Sequence, residues 1–463
     1  MKILSRQIPM SQLLSDYGML PVLILLCGLF SVLTLNDQTA TGRAGAEQLI
    51  TQMKGKSIVP GLLLMVTSGS RDDREFATAF EQQAQELGWN LRTISGDPPS
   101  IRAALGEMDA TAADGYTLVT TASFRPVIEQ VVAQFGSFRT SELRSPPSRR
   151  WPTFLLADNI RNVANQITVI AIIAIGMTMV IITAGIDLSV GSLIALSAVV
   201  IAWVVGSFGG ADVSSGGVIV AALAALAACA ATGAFSGLMI TAFRIPPFIA
   251  TLAMMQVAAG AAYLISAGRP IYQLPEGFVW LGRGTDPFFN IPIAVILMFL
   301  LYLIAWVVME RTVLGRYIYA VGGNPEAARL AGIRVKGVLL FVYTLCGLLA
   351  GLGGIVMASQ LKSGAPTYGL TYELYVIAAV VVGGTSLSGG EGKIIGTLIG
   401  AFVIGVIQNG MNLTNIESYT QKIVLGLVIL AAVLFDRLKQ RGLGRRIGFF
   451  KPVPLEQKET ASQ

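Results

Sequence analysis

The stretch Gly176–Ser192, GMTMVIITAGIDLSVGS, closes one apolar run, turns over Asp187 and opens a second. Each flanking run approaches the roughly 20 apolar residues that a helix needs to cross a bilayer. Working outward, similar runs lie at about 160–184, 189–207, 216–241, 247–267, 290–309, 337–358, 372–387, 394–411 and 420–436, with a first one at Tyr17–Leu35. The pattern predicts an α-helical polytopic membrane protein of about ten spans.

Composition agrees. Of the 463 residues, 53% are hydrophobic and 13% charged, against about 25% charged in ordinary soluble proteins. Histidine is absent, which removes the commonest metal ligand and the commonest general base near neutral pH. Neither a metal site nor covalent catalysis is expected. Cys27, Cys229 and Cys346 each sit in apolar sequence and read as small hydrophobes. The net charge of +6 is spread over loops and the C-terminal tail, so no nucleic-acid partner is expected.

Residues 36–150 break the pattern. This block carries about half of the acidic residues and no spanning run. It reads as strand, helix, strand, helix, strand, helix: Ser57–Thr67, Asp72–Leu87, Trp89–Ile94, Pro99–Ala113, Tyr116–Thr121 and Arg125–Phe135. Such alternation predicts parallel βαβ units. Ser137–Arg150 reads as a polar linker. Four segments result: a tail and first span at 1–35, an inserted α/β lobe at 36–150, a helical bundle at 151–437 and a basic tail at 438–463. The rival reading of the first run is a leader cleaved near Ala40. A signal core of roughly 7–15 residues is shorter than this run, which favours a retained span.

Short-loop charges orient the chain. With the N-terminus inside, Arg244, the cations between Arg311 and Lys336, Lys393 and the arginines and lysines after Arg437 all fall in the cytoplasm. The C-terminus is then also cytoplasmic, and residues 36–150 are external.

The loop Leu314–Lys336 contains Asn324-Pro325-Glu326, a helix start with a capping side chain, proline in the first turn and an acid on the positive end of the dipole. Gly332 ends the helix. Too short to span, it reads as an element lying across the cytoplasmic face; an ordinary charged connector is the alternative. Leu387-Ser-Gly-Gly-Glu391, followed by Gly392-Lys393, mimics nucleotide-binding signatures. A phosphate loop requires G-x-x-x-x-G-K-[ST] between a strand and a helix. Leu387 and Ile394 occupy the wrong positions and both flanks are apolar, so the glycines indicate a tight turn and the chain has no ATP site.

Four stretches, Gly176–Ser192, Phe243–Met255 (FRIPPFIATLAMM), Gly322–Ile333 and Val380–Gly405, together resemble the ribose/xylose/galactose-type permeases of bacterial ABC sugar importers. The resemblance runs from Asp158 to about Arg437 and includes the first span. It implies an inner-membrane permease for a monosaccharide or related polyol, a second permease subunit in a homodimer or a pair of unlike subunits, a cytoplasmic ATPase that binds MgATP, and a periplasmic sugar-binding protein. It also implies that Gly323, Asn324, Pro325, Glu326, Ala327, Ala328 and Gly332 dock into the ATPase. The family has only a short connection where residues 36–150 stand. That block resembles one lobe of a periplasmic sugar-binding protein, and a lone lobe lacks the second jaw that holds a ligand.

Asp187 is either a functional ionisable group at membrane depth or a cap on a helix starting at Leu188 at the water boundary; the cap is favoured. Asp187, Ser189, Gln256, Gln360 and Gln408 are candidate path or motif residues. Thr178, Thr183 and Thr344 could also line a path, although such hydroxyls often bond their own helix. The pairs Gly233/Gly237, Gly347/Gly351 and Gly396/Gly400 have the small-residue spacing of close helix packing.

Overall fold

The structure, a computed structural model, describes residues 19–55, 62–109, 116–135, 143–272 and 274–440. The chain forms two compact units, residues 34–153 and the helical remainder.

In the first unit six strands form among the described residues, of which only Leu62–Thr67 is an unbroken apolar run, save for its final threonine. They are β1 (Leu35–Thr39), β2 (Leu62–Thr67), β3 (Leu91–Ser95), β4 (Tyr116–Thr120), β5 (Leu143–Arg144) and β6 (Ser148–Pro152). A four-stranded sheet has the order β3-β2-β4-β5, with all three pairings parallel. Parallel strands need crossovers, which α3 (Arg71–Glu86), α4 (Pro98–Asp109) and α5 (Arg125–Val132) supply after α2 (Gly42–Gly55). Ser70 caps α3 by accepting from the Asp73 amide at 3.2 Å. Its apolar face buries Phe76, Phe80 and Ala84 against α2 residues Ala46, Leu49, Ile50 and Met53.

Two features differ from the sequence reading. Helix α2 stands in sequence given no element, because its apolar residues are few. The expected linker Ser137–Arg150 holds β5 and the start of β6 within its described part, residues 143–150. β6 pairs antiparallel with β1 from Leu35↔Pro152 to Thr39↔Ser148, a pairing over more than 100 residues of sequence that no local pattern announces. The start of expected Ser57–Thr67 (57–61), the end of expected Pro99–Ala113 (110–113), the start of the first run (17–18) and the basic tail beyond residue 440 lie outside the described residues.

The helical unit comprises α1 (Leu20–Leu33), α6 (Ala157–Ile182), α7 (Val190–Ser207), α8 (Ser215–Phe243), α9 (Pro247–Ile265), α10 (Glu276–Arg283), α11 (Ile293–Arg311), α12 (Val313–Gly323), α13 (Pro325–Leu330), α14 (Val335–Leu361), α15 (Tyr372–Val382), α16 (Ile394–Leu413) and α17 (Ser418–Gln440). Among the described residues, seven helices, α6 to α9, α11, α14 and α16, are long and apolar enough to cross a membrane, and α1, α15 and α17 contribute shorter apolar stretches. This is the architecture of a polytopic membrane protein. The expected span at 372–387 is the 11-residue α15. Gly383 and Gly384 stop it, Gly384 lying at φ +89°, a conformation that costs other residues steric strain.

Helix α14 lies at the centre, packed on α6, α7 and α8. Small residues make this possible. A Cβ on Gly233 would stand 2.3 Å from the Tyr343 carbonyl oxygen, and one on Gly347 would stand 2.4 Å from that of Cys229. Gly400 approaches the Ala379 carbonyl in the same way, at 2.0 Å. The small-residue pairs are therefore helix contacts, where dispersion between backbones replaces the hydrophobic drive that lipid cannot supply. Cys229 and Cys346 are buried and Cys27 partly so, all as free thiols.

Candidate functional site

Loop 312–334 folds into two consecutive helices. The Thr312 hydroxyl accepts from the Gly315 amide at 3.4 Å and starts α12. Asn324 then ends α12 and starts α13, its Oδ1 accepting from the amides of Glu326 at 3.1 Å and Ala327 at 3.0 Å. Pro325 occupies the first turn, where its missing N–H costs nothing. Gly332, at φ +84°, releases the chain towards α14.

One side of α13 faces inward through Ala328, which is 4% exposed and belongs to the main core. Gly323, Asn324, Pro325, Glu326, Ala327 and Gly332 are exposed. Glu326 and Arg329 form an ion pair at 2.9 Å. Leu330 is 85% exposed, an apolar side chain standing free beside charged neighbours.

Behind α13 lies a layer of backbone contacts. The Ile182 carbonyl at the end of α6 accepts from the Gly390 amide at 2.8 Å, which satisfies one of the orphan carbonyls of a helix terminus. Gly322 abuts the same carbonyl, so closely that a Cβ there would stand 1.7 Å from the oxygen. The Tyr319 hydroxyl donates to the Gly392 carbonyl at 2.8 Å. Gly389 and Gly390 have φ of +84° and +77°, so the Ser-Gly-Gly-Glu-Gly run is a tight turn clamped between α6 and α12. Sequence reading placed the turn and the helix but missed their union through Ile182, Tyr319 and Gly322. The only local signal was the density of glycine at both places.

Asp187 lies in the turn between α6 and α7, fully buried. It is not an N-cap at a water boundary as favoured above, because α7 starts at Val190 and the turn tucks inward. Its Oδ1 accepts from the Ser189 amide at 2.9 Å and hydroxyl at 2.6 Å, and the Cys346 thiol stands beside the carboxylate. Burial pushes the carboxyl above the usual carboxylate range, against the Ser189 hydrogen bonds that pull it down.

The remaining candidates do not join Asp187 and Ser189. Gln360 donates to the carbonyl oxygen of Asn165 at 3.2 Å and to its Oδ1 at 3.3 Å. Asn165 sits near the opposite end of α6 from Ile182, roughly 25 Å away at 1.5 Å per residue. Gln408 is half-buried on α16, and Gln256 is exposed on α9. Thr178, Thr183 and Thr344 donate to their own helix carbonyls, and Thr178 also meets Thr397 at 2.7 Å.

That distant end holds a second cluster that the sequence did not reveal. Asn159 and Asn409 exchange amide hydrogen bonds at 3.0 and 2.9 Å, tying α6 to α16. Ser359 accepts from the Gly282 amide at 2.8 Å and donates to the Phe278 carbonyl at 2.6 Å. In the α/β unit, a cavity of about 350 Å³ opens at the carboxyl ends of β2 and β4, lined by Gly42, Ser70, Asp72, Thr121 and Ser123.

The family described as branched-chain amino acid transport system / permease component matches residues 159–433. The ribose import permease protein of Escherichia coli (strain K12) is 47% identical over 293 residues, covering 62% of this chain and 88% of that protein. That of Bacillus subtilis (strain 168) is 46% identical over 290 residues, covering 62% and 87%. The D-allose transport system permease protein of Escherichia coli (strain K12) is 36% identical over 316 residues, covering 67% and 90%. No solved structure matches the chain.

Proposed function

The chain belongs to the family of branched-chain amino acid transport system permease components, and from that premise we propose that it is the permease subunit of an ATP-driven importer for a monosaccharide or related polyol. The carrying observation is the similarity to permeases named for ribose and allose along nearly nine-tenths of their length. The phrase "branched-chain amino acid" names the wider family; the named relatives point to sugars.

In this reading two copies pair in the bacterial inner membrane, with both termini cytoplasmic and about ten spans each. A cytoplasmic ATPase binds MgATP and docks on the exposed side of α13, through Gly323, Asn324, Pro325, Glu326 and Ala327, with Ala328 and Gly332 seating the helix. Leu330 is exposed on the same short helix and would be covered by that contact. Its force reaches the bundle through Gly322, Ile182 and Gly390. Asp187 and Ser189 hold the turn behind that layer, and Gln256, Gln360 and Gln408 offer neutral amides suited to hydroxyl groups. A separate periplasmic binding protein delivers the sugar.

Residues 34–153 stand on the periplasmic side as one lobe of a binding-protein fold. The cavity beyond β2 and β4 lies where open α/β sheets receive ligands, but one lobe leaves it open to water, so it does not hold sugar tightly by itself. Uptake tests the function: cells lacking this chain should lose accumulation of one labelled pentose or hexose and regain it when the chain is restored. Restored accumulation of leucine, with no sugar affected, would replace this reading by an amino-acid permease.

A further inference from the structure

The two-stranded ribbon of β1 and β6 carries a surface that transport does not explain. Its register pairs Trp151 with Asn36, Arg150 with Asp37 and Arg149 with Gln38. Along the chain from α1 into β1, Val32, Leu33 and Leu35 are exposed and apolar, whereas Asn36 and Asp37 are exposed and polar. Exposed apolar residues at the end of an apolar helix match acyl chains, and the first exposed polar residues match the headgroups. The step falls between Leu35 and Asn36, so the residue paired with Asn36 stands at that level. β1 starts two residues after α1 ends, a reach of at most about 7 Å, so the start of the ribbon cannot leave that level.

Trp151 is 39% exposed. Indole at the boundary between acyl chains and headgroups is the arrangement that membrane proteins favour. The Arg149 guanidinium lies 5.0 Å above the indole ring. Arg150 and Arg149 stand one and two residues beyond Trp151 along β6, away from the apolar side, at roughly 3–7 Å, and both are exposed. Asp37 opposes Arg150 in register and is the ribbon's one acid, leaving two guanidiniums against one carboxylate. The planar guanidinium fork matches phosphate oxygens.

We propose that this ribbon is an interfacial anchor: Trp151 rests at the headgroup–acyl boundary and Arg149 and Arg150 bind lipid phosphodiesters. The anchor fixes the stem of the α/β unit at the bilayer surface. It rests on the reading of the apolar helices as membrane spans, and Trp203 distinguishes the two. That indole is 53% exposed on α7, within a span and far from the ribbon in sequence.

The test uses the full chain in nanodiscs whose lipids carry bromine, a fluorescence quencher, either near the headgroup or near the acyl terminus. Wild type minus Trp151→Phe gives the signal of Trp151, and wild type minus Trp203→Phe gives that of Trp203. Trp151 should be quenched most strongly by the bromine near the headgroup. Replacing Arg149 and Arg150 by glutamine should also remove a rise in Tm of about 2–4 °C that phosphatidylglycerol gives the wild type. Quenched Trp203 with unquenched Trp151 overturns the anchor alone. Both indoles unquenched overturns the membrane reading and the anchor with it. A Tm that responds to phosphatidylglycerol equally in wild type and the glutamine variant removes the phosphate contacts.

Discussion

The two ends of the helical unit are closed by different chemistry. At one, backbone meets backbone: Gly322 against the Ile182 carbonyl, the Gly390 amide bonded to that same oxygen. At the other, side-chain amides meet: Asn159 with Asn409, and Gln360 with Asn165. A backbone contact cannot give way without moving a helix, so the first end is stiff. Neutral amides can exchange partners with one another or with a hydroxyl at little cost, so the second end is held less firmly. Under the proposed function, the stiff end would receive the ATPase's push and the amide end would face the incoming sugar.

The largest effect should come from adding one carbon at the rigid end. Gly322→Ala places a methyl group 1.7 Å from the Ile182 oxygen, and overpacking of this kind costs about 1–3 kcal/mol or more. Thermal unfolding in detergent should fall by several degrees and sugar uptake should be lost. Gly323→Ala is the matched control, because nothing lies within 4 Å of its added carbon, and it should retain near wild-type Tm. Equal loss in both variants would mean that α12 packs less tightly than the backbone contacts imply.

The amide end should respond less. Asn409→Ala removes one side of the reciprocal pair, while Asn159 keeps its 2.9 Å bond to the Phe154 carbonyl. Interhelical hydrogen bonds in membrane proteins average about 0.6 kcal/mol. A double-mutant cycle with Asn159→Ala should return a coupling of that order, about 0.6–1.7 kcal/mol, measured by denaturant unfolding in detergent. A coupling near zero would leave the two amides energetically independent and remove the contrast between the ends.

Much of this contrast could be read from the sequence, but not its connections. The apolar runs at 160–184 and 337–358 became α6 and α14, because spanning length is a local property. The Asn-Pro-Glu start of α13 was equally local, since capping involves residues two and three positions apart. The contact of Gly322 with Ile182 joins residues 140 positions apart, and the Asn159–Asn409 pair joins residues 250 apart. Glycine marks a close approach without naming its partner, and asparagine in an apolar helix marks a need without naming what meets it. Asp187 was misplaced for the same reason: its turn sequence suggests a cap, and only the surrounding helices bury it.

The smallest effect on stability should come from the outer side of α13, and it tests whether the rigid end is a receiver of force. Leu330 is 85% exposed, so Leu330→Asp removes no packing from the chain itself. Surface changes of this kind usually stay within about 0.5 kcal/mol, and Tm should hold. If the ATPase docks on this side, the new carboxylate meets an apolar contact, pays desolvation without a partner and lowers uptake strongly. A variant with wild-type Tm and abolished uptake therefore separates a transmitting surface from a merely folded one. Wild-type uptake by the same variant would place the ATPase contact elsewhere. The Gly322–Ile182–Gly390 layer would then be a seal holding three segments together, stiff because it must be shut rather than because it must be pushed.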